Sequence, residues 1–460
     1  MRLTVLGGGG FRVPLVHRAL LEDEGDDAGR ITELVLHDTD SDRLGAITAV
    51  LSHQADQARQ QPGRGAGGRD PAPAVRATTD LDEALRGADF VFSAIRVGGL
   101  EGRTLDERTP LAEGVLGQET VGAGGVLYGL RTLPVAVRIA ERVAELAPDA
   151  WVINFTNPAG MVTEAMAGVF RQRGLGERVI GICDSPVGLC RRAARALGAD
   201  PDRADYDYVG LNHLGWLRRV VVDGKDRLPG LLADEALLES FEEGKLFGAG
   251  WLQALGALPN EYLHYYYFNR EAVASIRGSQ ATRGEFLREQ QSRFYEESRL
   301  GRAAGPAEAY EAWDRTRRER EETYMAESRE ATGGWERDSC DLEGGGYDRV
   351  ALALMRAVSR NERTTLILNV PNRTAVPGLD AEAVVEVPCL VDAGGARPLS
   401  AGPVAPDQLG LMLQLKAVER SAIEAAESGS RAAALRALAL HPLVDSVRVA
   451  ERILDTAGGF

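Results

Sequence analysis

The stretch RLTVLGGGGFRVPLVHRALLEDE, residues 2–24, decides the fold of this chain. A short β-rich run leads into four glycines, and a helix-like segment follows them. Glycines at such a turn let the backbone approach a pyrophosphate closely, and the following helix N-terminus offers it free N–H groups. Gly7 and Gly9 match the dinucleotide fingerprint, whereas Arg12 stands where its third glycine belongs. The stretch therefore predicts either a dinucleotide-binding turn or a glycine-rich turn without a ligand.

An acidic residue at the end of the next predicted strand supports the cofactor interpretation. Asp38 closes ELVLHD, residues 33–38, where a carboxylate can bind ribose hydroxyls and favour NAD over NADP. The alternative is that Asp38 caps the helix that follows. The residues predicted to bind NAD are Gly7, Gly8, Gly9, Gly10, Phe11, Arg12 and Asp38.

Strand-like and helix-like segments alternate from this turn to about residue 200. The runs ADFVFSAI, AWVINF and RVIGI are typical of buried strands, and helical segments separate them. Such alternation predicts a doubly wound, mostly parallel sheet. After residue 200, antiparallel strands and helices rich in Glu and Arg replace it. We therefore predict an α/β fold, with a Rossmann-like NAD-binding domain over residues 1–200. An α+β lobe is predicted over residues 201–460.

Composition argues against several classes of partner. The 460 residues are 44% hydrophobic and carry a net charge of −15, which argues against nucleic-acid and anionic-membrane binding. No stretch approaches the ~20 apolar residues of a membrane span. The four cysteines show no disulfide-framework spacing, and because residues 2–6 read as a strand that leads into the glycine turn, we expect no signal peptide. We expect a cytoplasmic protein.

Polar side chains follow several of the predicted strands. Arg96 comes after ADFVFSAI, Asn157 after AWVINF, Cys183 and Asp184 after VIGI, and His213 after YVGLN. Each has an ordinary structural interpretation when it is taken alone. Because ligands of open α/β sheets bind at the carboxyl ends of the strands, we predict that these side chains share one site.

The types of side chain indicate what that site binds. A cysteine and a histidine, Cys183 and His213, suit zinc, manganese or iron. Two protein ligands leave coordination positions that substrate hydroxyls can fill. The alternatives are a small buried thiol and a hydrogen-bonded structural histidine. Arginines at the strand ends would bind a phosphate or a carboxylate through forked hydrogen bonds.

Long segments resemble the family 4 glycoside hydrolases, which depend on NAD and a divalent metal. The matching segments are VLGGGG, RVGGLEGRTLDERTPLAEGVLGQETVGAGG, LRTLPV, PDAWVINFTNPAGMVTEA, GICDSPVGL, YVGLNHLGW, PNEYLHYYY and ALHPLV. They extend from the first strand to the last helices. The resemblance implies hydrolysis of a phosphorylated sugar by oxidation at C3, removal of the C2 proton, elimination, addition of water and return of the hydride.

The resemblance also assigns binding residues to this chain. They are Cys183, His213, Asn157, Arg96 and Arg283. The first two would bind Mn²⁺ or another divalent ion, Asn157 would hold sugar hydroxyls, and the two arginines would hold the 6-phosphate. The resemblance also implies a homodimer or a homotetramer, and it implies that the lobe over residues 201–460 binds substrate and metal and forms the oligomer interface.

The catalytic residues implied by the resemblance are Tyr262, as the base at C2, and Asp184. Tyr265 is the alternative base. Asp184 stands where 6-phospho-β-glucosidases of the family usually have Asn and 6-phospho-α-glucosidases usually have Asp. It would act as the acid toward the leaving oxygen, or it would orient Cys183 or a sugar hydroxyl. The turn also departs from the family pattern, since Phe11 and Arg12 follow its glycines.

The leading hypothesis is a 6-phospho-β-glucosidase that releases glucose 6-phosphate, because RVGGL, INFTNPAG and LRTLPV resemble that branch. An α-specific enzyme is the first alternative. An NAD-dependent 2-hydroxyacid dehydrogenase, which would need no metal, is the second. A non-catalytic NAD-binding sensor is the third.

Overall fold

The computed structural model describes residues 1–23, 29–61, 70–300, 305–336 and 346–458. The strands of the first half are β1 (Arg2–Leu6), β2 (Glu33–His37), β3 (Ala74–Thr78), β4 (Phe90–Ser93), β5 (Trp151–Asn154) and β6 (Val179–Gly181). The helices that connect or follow them are α1 (Val13–Leu21), α2 (Ser41–Gln60), α3 (Leu81–Leu85), α4 (Gly99–Ala112), α5 (Gly122–Leu146), α6 (Ala159–Gln172) and α7 (Ser185–Ala196).

The second half adds strands and most of the short helices. Its strands are β7 (Asp205–Leu211), β8 (Leu214–Val222), β9 (Lys225–Asp226), β10 (Leu258–Pro259), β11 (Thr364–Pro371), β12 (Val384–Asp392) and β13 (Gly395–Pro398). Its helices are α8 (Leu228–Ala233), α9 (Glu235–Leu238), α10 (Glu242–Phe247), α11 (Ala249–Leu255), α12 (His264–Tyr267), α13 (Asn269–Gly278), α14 (Arg283–Arg299), α15 (Pro306–Glu322), α16 (Ala326–Ala331), α17 (Tyr347–Arg360), α18 (Pro406–Ser428), α19 (Arg431–Ala439) and α20 (Val447–Ala457). Short 3₁₀ turns lie at Pro201–Arg203 and Glu261–Leu263.

The first six strands form the predicted parallel sheet. Their order is β3-β2-β1-β4-β5-β6, and every neighbouring pair is parallel. This is the strand order of a Rossmann fold, so the predicted fold class is confirmed. The inner strands are rich in Val, Leu, Ile and Phe, and β4 is buried along its whole length, as expected for a sheet covered by helices on both faces. The order reverses between β1 and β4, which places the glycine turn at the switch point of the sheet.

The sheet continues into the second half of the chain without a break. β11 pairs antiparallel with β6 through Asn369 and Gly181, and β12 pairs with β11. β7 joins β12 where Gly210 faces Glu386, and β8 and β10 complete that side. The division of the chain at residue 200 into a cofactor domain and a substrate domain stays a prediction.

The described residues contain no helix with both the length and the apolar character that a membrane span requires. The described cysteines Cys183, Cys190 and Cys389 are free thiols, and Cys340 lies outside the described ranges.

Candidate active site

A cavity of about 1820 Å³ lies at the carboxyl ends of β1, β4, β5 and β6. Eleven of the predicted site residues line it: Gly7, Gly10, Phe11, Arg12, Asp38, Arg96, Asn157, Cys183, Asp184, His213 and Tyr262. Three do not: Gly8, Gly9 and Arg283. The structure therefore brings the predicted strand-end side chains together at one cavity.

The glycine turn is pressed against the neighbouring strands, which explains its composition. Gly7 has φ of +81°, and a Cβ atom there would lie 2.5 Å from the Ala94 carbonyl oxygen. A Cβ on Gly10 would lie 2.8 Å from the carbonyl oxygen of Gly7, which accepts the Gly10 N–H. The carboxylate of Asp38 accepts the backbone N–H of Gly9 at 3.1 Å. The turn thus leaves its backbone open to a ligand and holds an acid beside it, which fits a dinucleotide.

Phe11 and Arg12 connect this turn to other parts of the molecule. The Phe11 carbonyl accepts the Trp313 indole N–H at 2.8 Å, and its ring packs against Phe294. Arg12 lines the cavity, and its guanidinium lies 3.7 Å from the Asp184 carboxylate. Burial lowers the pKa of Arg12, but Asp184 and Glu321 outweigh it and raise that pKa above its usual value. The turn therefore places a permanent cation beside the candidate acid.

The two candidate metal ligands both face the cavity. Cys183 follows β6, and burial, with the charges of Glu386 and Asp184, raises the pKa of its thiol. His213 is the second residue of the two-residue turn between β7 and β8, with φ of +62°, which few non-glycine residues adopt. Its Nδ1 lies 3.1 Å from the Thr120 hydroxyl.

Burial lowers the pKa of His213 to about 3, so the imidazole is neutral, as a metal ligand must be. Within the described ranges, no group of three or more His, Cys, Asp and Glu side chains is placed to hold a metal ion. The Cys–His pair fits a divalent ion that keeps other positions for substrate.

The structure distinguishes the two candidate tyrosines. The ring of Tyr262 stacks on the His213 imidazole, with centroids 3.7 Å apart and planes 7° apart. Its hydroxyl accepts a hydrogen bond from Tyr324 at 3.2 Å. Tyr265, one helical turn further on, packs into an apolar cluster with residues such as Leu116 and Ile276 and does not line the cavity. Burial and Glu261 raise the pKa of Tyr262 well above its usual value.

The side chain of Asp184 lines the cavity. This residue precedes α7 but its side chain makes no capping hydrogen bond, and its carboxylate is directed to Arg12. Burial raises the pKa of Asp184, while Arg12 partly opposes that increase. Asn157 also lines the cavity, and its side-chain oxygen accepts the Ala159 N–H at 3.3 Å.

The two predicted phosphate arginines differ. Arg96 lines the cavity and forms an ion pair with Glu119 at 2.7 Å. Burial alone would raise the pKa of Glu119, but Arg103 and Arg96 lower it to about 2. Arg283 lies at the start of α14 and donates to the Thr323 hydroxyl at 2.6 Å, away from the cavity lining.

Further residues of the cavity carry no distinctive sequence pattern. Arg320 and Tyr324 lie in or just after the Arg- and Glu-rich helix α15, whose composition is typical of a solvated surface. Glu119, in the GQET segment, could have been selected from its glycine-rich surroundings. Glu261 precedes Tyr262, accepts a hydrogen bond from Ser185 at 2.7 Å, and also lines the cavity.

A buried carboxyl group supports the turn that presents His213. Glu386 on β12 is fully buried and accepts hydrogen bonds from Tyr208 at 3.0 Å, Asn212 at 3.2 Å and Asn369 at 2.8 Å. Burial raises the pKa of Glu386 to about 7, and these donors only partly oppose it. Because Asn212 adjoins His213, the carboxyl group helps to fix the conformation of the turn.

Comparisons with known proteins cover nearly the whole chain. Residues 2–199 match the model of the family 4 glycosyl hydrolases, and residues 208–444 match the family 4 glycosyl hydrolase C-terminal domain. A probable 6-phospho-beta-glucosidase of Bacillus subtilis is 33% identical, covering 83% of this chain and 80% of the relative. A 6-phospho-alpha-glucosidase of Lacticaseibacillus paracasei is 32% identical, covering 84% of each.

Solved structures give a similar result. The 6-phospho-beta-glucosidase of Thermotoga maritima, solved with manganese, NAD⁺ and glucose 6-phosphate, is 26% identical to this chain with a TM-score of 0.79. That likeness covers 99% of this chain and 97% of the Thermotoga chain.

Proposed function

The chain belongs to the family 4 glycosyl hydrolases, and on this basis we propose that it hydrolyses 6-phosphoglucosides with NAD and a divalent metal ion, Mn²⁺ or another, as cofactors. The observation that carries the proposal is the parallel stack of Tyr262 on His213. It brings a candidate base next to a candidate metal ligand, in the cavity that Cys183 and Gly7 also line. A proton acceptor, a metal-binding pair and a dinucleotide turn thus face the same space.

The residues present fit both cofactors. The glycine turn and Asp38 would hold NAD, while Cys183 and His213 would hold the divalent ion. When bound, NAD would supply reversible oxidation of the sugar and the metal would supply a Lewis acid that polarises its oxygens. Asn157 lines the same cavity and would orient the sugar hydroxyls.

The protein side chains would move the protons. Tyr262 would accept the proton from C2 of the sugar, and the hydrogen bond from Tyr324 stabilises its anionic form. Its pKa is raised by burial, so this function depends on positive charge in the cavity. Asp184 would donate a proton to the leaving oxygen, because its raised pKa keeps a larger fraction protonated. Arg12, 3.7 Å away, would stabilise the carboxylate that remains.

We propose the β anomer as substrate. The support is the likeness of RVGGL, INFTNPAG and LRTLPV to the β branch, together with the Bacillus relative at 33% identity and an Escherichia coli 6-phospho-beta-glucosidase at 36% identity. The α anomer is the second candidate, favoured by one observation: a protonatable carboxyl group, Asp184, lines the cavity where β enzymes usually have Asn.

The test uses p-nitrophenyl α- and β-glucoside 6-phosphates with the purified protein, NAD⁺ and Mn²⁺. We expect release of nitrophenol and glucose 6-phosphate from the β substrate, with no net NADH. Turnover of the α substrate alone would contradict the β assignment and leave the family activity intact. The variant Asp184→Asn tests the proposed acid. It should lower kcat if the enzyme needs an acid at the leaving oxygen.

A second measurement separates this mechanism from a dehydrogenase. Removal of the C2 proton in D₂O should place deuterium at C2 of the product, whereas a 2-hydroxyacid dehydrogenase would release NADH stoichiometrically without metal. Metal-independent formation of NADH would reject the proposed function.

We further propose a cytoplasmic homodimer or homotetramer whose partner is a small phosphorylated sugar, with neither nucleic acid nor membrane. The net charge of −15 supports the exclusion of nucleic acid and membrane, and the free thiols of the described cysteines support a reducing compartment. The support for the oligomer is the family resemblance. Light scattering coupled to gel filtration measures the oligomeric state.

A further inference from the structure

The cavity contains an arginine that the sequence did not single out. Arg320 lies near the end of α15, and its side chain lines the cavity together with Arg12, Arg96 and Arg103. Its side chain is 18% exposed, so the guanidinium is largely removed from solvent but open to the cavity. The position of a largely buried cation in this cavity raises the question of which anion it binds.

The neighbouring Arg96 and Arg103 form close ion pairs with a carboxylate, whereas Arg320 does not. Arg96 and Arg103 contact Glu119 at 2.7 and 2.9 Å. The nearest carboxylate of Arg320 is Glu321, 3.8 Å from Nε, which exceeds hydrogen-bond distance. The Arg320 guanidinium donates no hydrogen bond to any residue of the described ranges. Its five N–H groups therefore remain available to an oxyanion.

The local charge favours an anion at this position. Burial and the nearby cations Arg12, Arg283 and Arg103 lower the pKa of Arg320 to about 9, against the opposing effect of Glu321. Two of these cations, Arg12 and Arg103, line the same cavity as Arg320, so positive charge is concentrated there. A dianion such as a phosphate monoester would offset that repulsion and accept forked hydrogen bonds from the guanidinium.

Arg283, the phosphate ligand expected from the family resemblance, has another role in this chain. Its guanidinium donates to the Thr323 hydroxyl at 2.6 Å and to the backbone carbonyl of Arg320 at 2.8 Å. These acceptors lie at the end of α15, where carbonyl groups lack partners within the helix. Arg283 thus fixes the backbone that carries Arg320, rather than reaching the cavity itself.

We propose that Arg320 binds the 6-phosphate of the substrate in the cavity that it lines with Arg96, and that Arg283 is a positioning residue for Arg320. This inference rests on the proposed function for the identity of the sugar phosphate. The anion site itself does not rest on it, since the observations above concern only charge and hydrogen-bond donors.

The test measures phosphate recognition with and without turnover, in Arg320→Gln, Arg320→Lys and the wild type. Arg318→Gln is the matched control, because Arg318 lies on the same helix with a 68% exposed side chain that pairs with Asp314. We expect Arg320→Gln to raise KM for the 6-phosphoglucoside about 10- to 100-fold with a much smaller change in kcat. Arg320→Lys should be intermediate, and Arg318→Gln should match the wild type.

Thermal stabilisation by inorganic phosphate, at constant ionic strength, gives a readout independent of activity. The wild type and Arg318→Gln should be stabilised, and Arg320→Gln should not, while NAD⁺ affinity stays the same in all three. Wild-type KM and wild-type phosphate stabilisation in Arg320→Gln would overturn the inference. If the wild type hydrolyses no 6-phosphoglucoside but phosphate stabilises it through Arg320, the anion site stands and the proposed function fails.

Discussion

Replacing Glu386 by Gln is expected to change how the stability of the protein depends on pH. The folded-state pKa of this buried carboxyl group is about 7, above the ordinary value of 4.5. The folded protein therefore binds this proton more tightly than the unfolded chain. The contribution of Glu386 to stability is fully present below the ordinary pKa, and it is lost as the pH rises through about 7.

The magnitude follows from the difference between the two pKa values. Each unit corresponds to about 1.4 kcal/mol, so the total change is roughly 3 kcal/mol. The sequence pI of about 5.1 makes low pH unsuitable because of poor solubility. Between about pH 6 and about pH 8.5, the contribution of Glu386 to the free energy of unfolding falls by roughly 1 to 2 kcal/mol. Glutamine has nearly the same shape, and its oxygen can still accept from Asn212 and Asn369 while its amide donates to Tyr208.

The assay is urea unfolding of EDTA-treated protein at the two pH values. Relative to the wild type, Glu386→Gln should become more stable at the higher pH by the stated amount. Glu164→Gln is the matched control: Glu164 is paired with Lys416 and Arg420 at 3.0 and 2.9 Å, and its pKa is lowered. Its loss of stability should be the same at both pH values. If the stability difference between Glu386→Gln and the wild type were the same at both pH values, the reasoning would be refuted.

Three other substitutions test the site and the fold. Tyr262→Phe keeps the ring that stacks on His213, so it should fold normally yet lose about 10²- to 10⁴-fold in kcat, measured with the aryl phosphoglucoside. Gly7→Ala places a methyl group 2.5 Å from the Ala94 carbonyl oxygen, and calorimetry should show NAD⁺ affinity lower by about tenfold or more. Gly45→Ala lies on the exposed face of α2 with no atom within 4 Å of the new methyl group, and urea unfolding should show a gain of up to about 1 kcal/mol.

The sequence predicted those features of the site that depend on short, local patterns. A strand followed by glycines and a helix has few possible geometries, so the position of Gly7 could be derived before the structure. The strand ends carrying Cys183 and Asp184 were located in the same way, because the carboxyl ends of parallel strands meet at one edge. His213 was also placed at the end of a strand, but the two-residue hairpin turn that holds it was not predicted.

Side-chain direction on helices could not be predicted in that way. The arginines of the segment RRERE have similar neighbours in the sequence. Arg320 lines the cavity because of how α15 packs, which the sequence does not reveal. Arg283 was assigned from the family likeness, but the acceptors at the end of α15 bind its guanidinium instead. Glu386 was missed because its three donors come from strands and turns far apart in the chain.

The strand that joins the two halves has a practical consequence for anyone who wishes to produce them separately. β6 is an interior strand only because β11, which comes nearly two hundred residues later, lies beside it. A fragment ending at residue 200 would have an open, apolar strand edge, which is a template for pairing with other chains. We expect such a fragment to form inclusion bodies, and co-expression of the complementary piece, residues 201–460, to restore solubility by covering that edge.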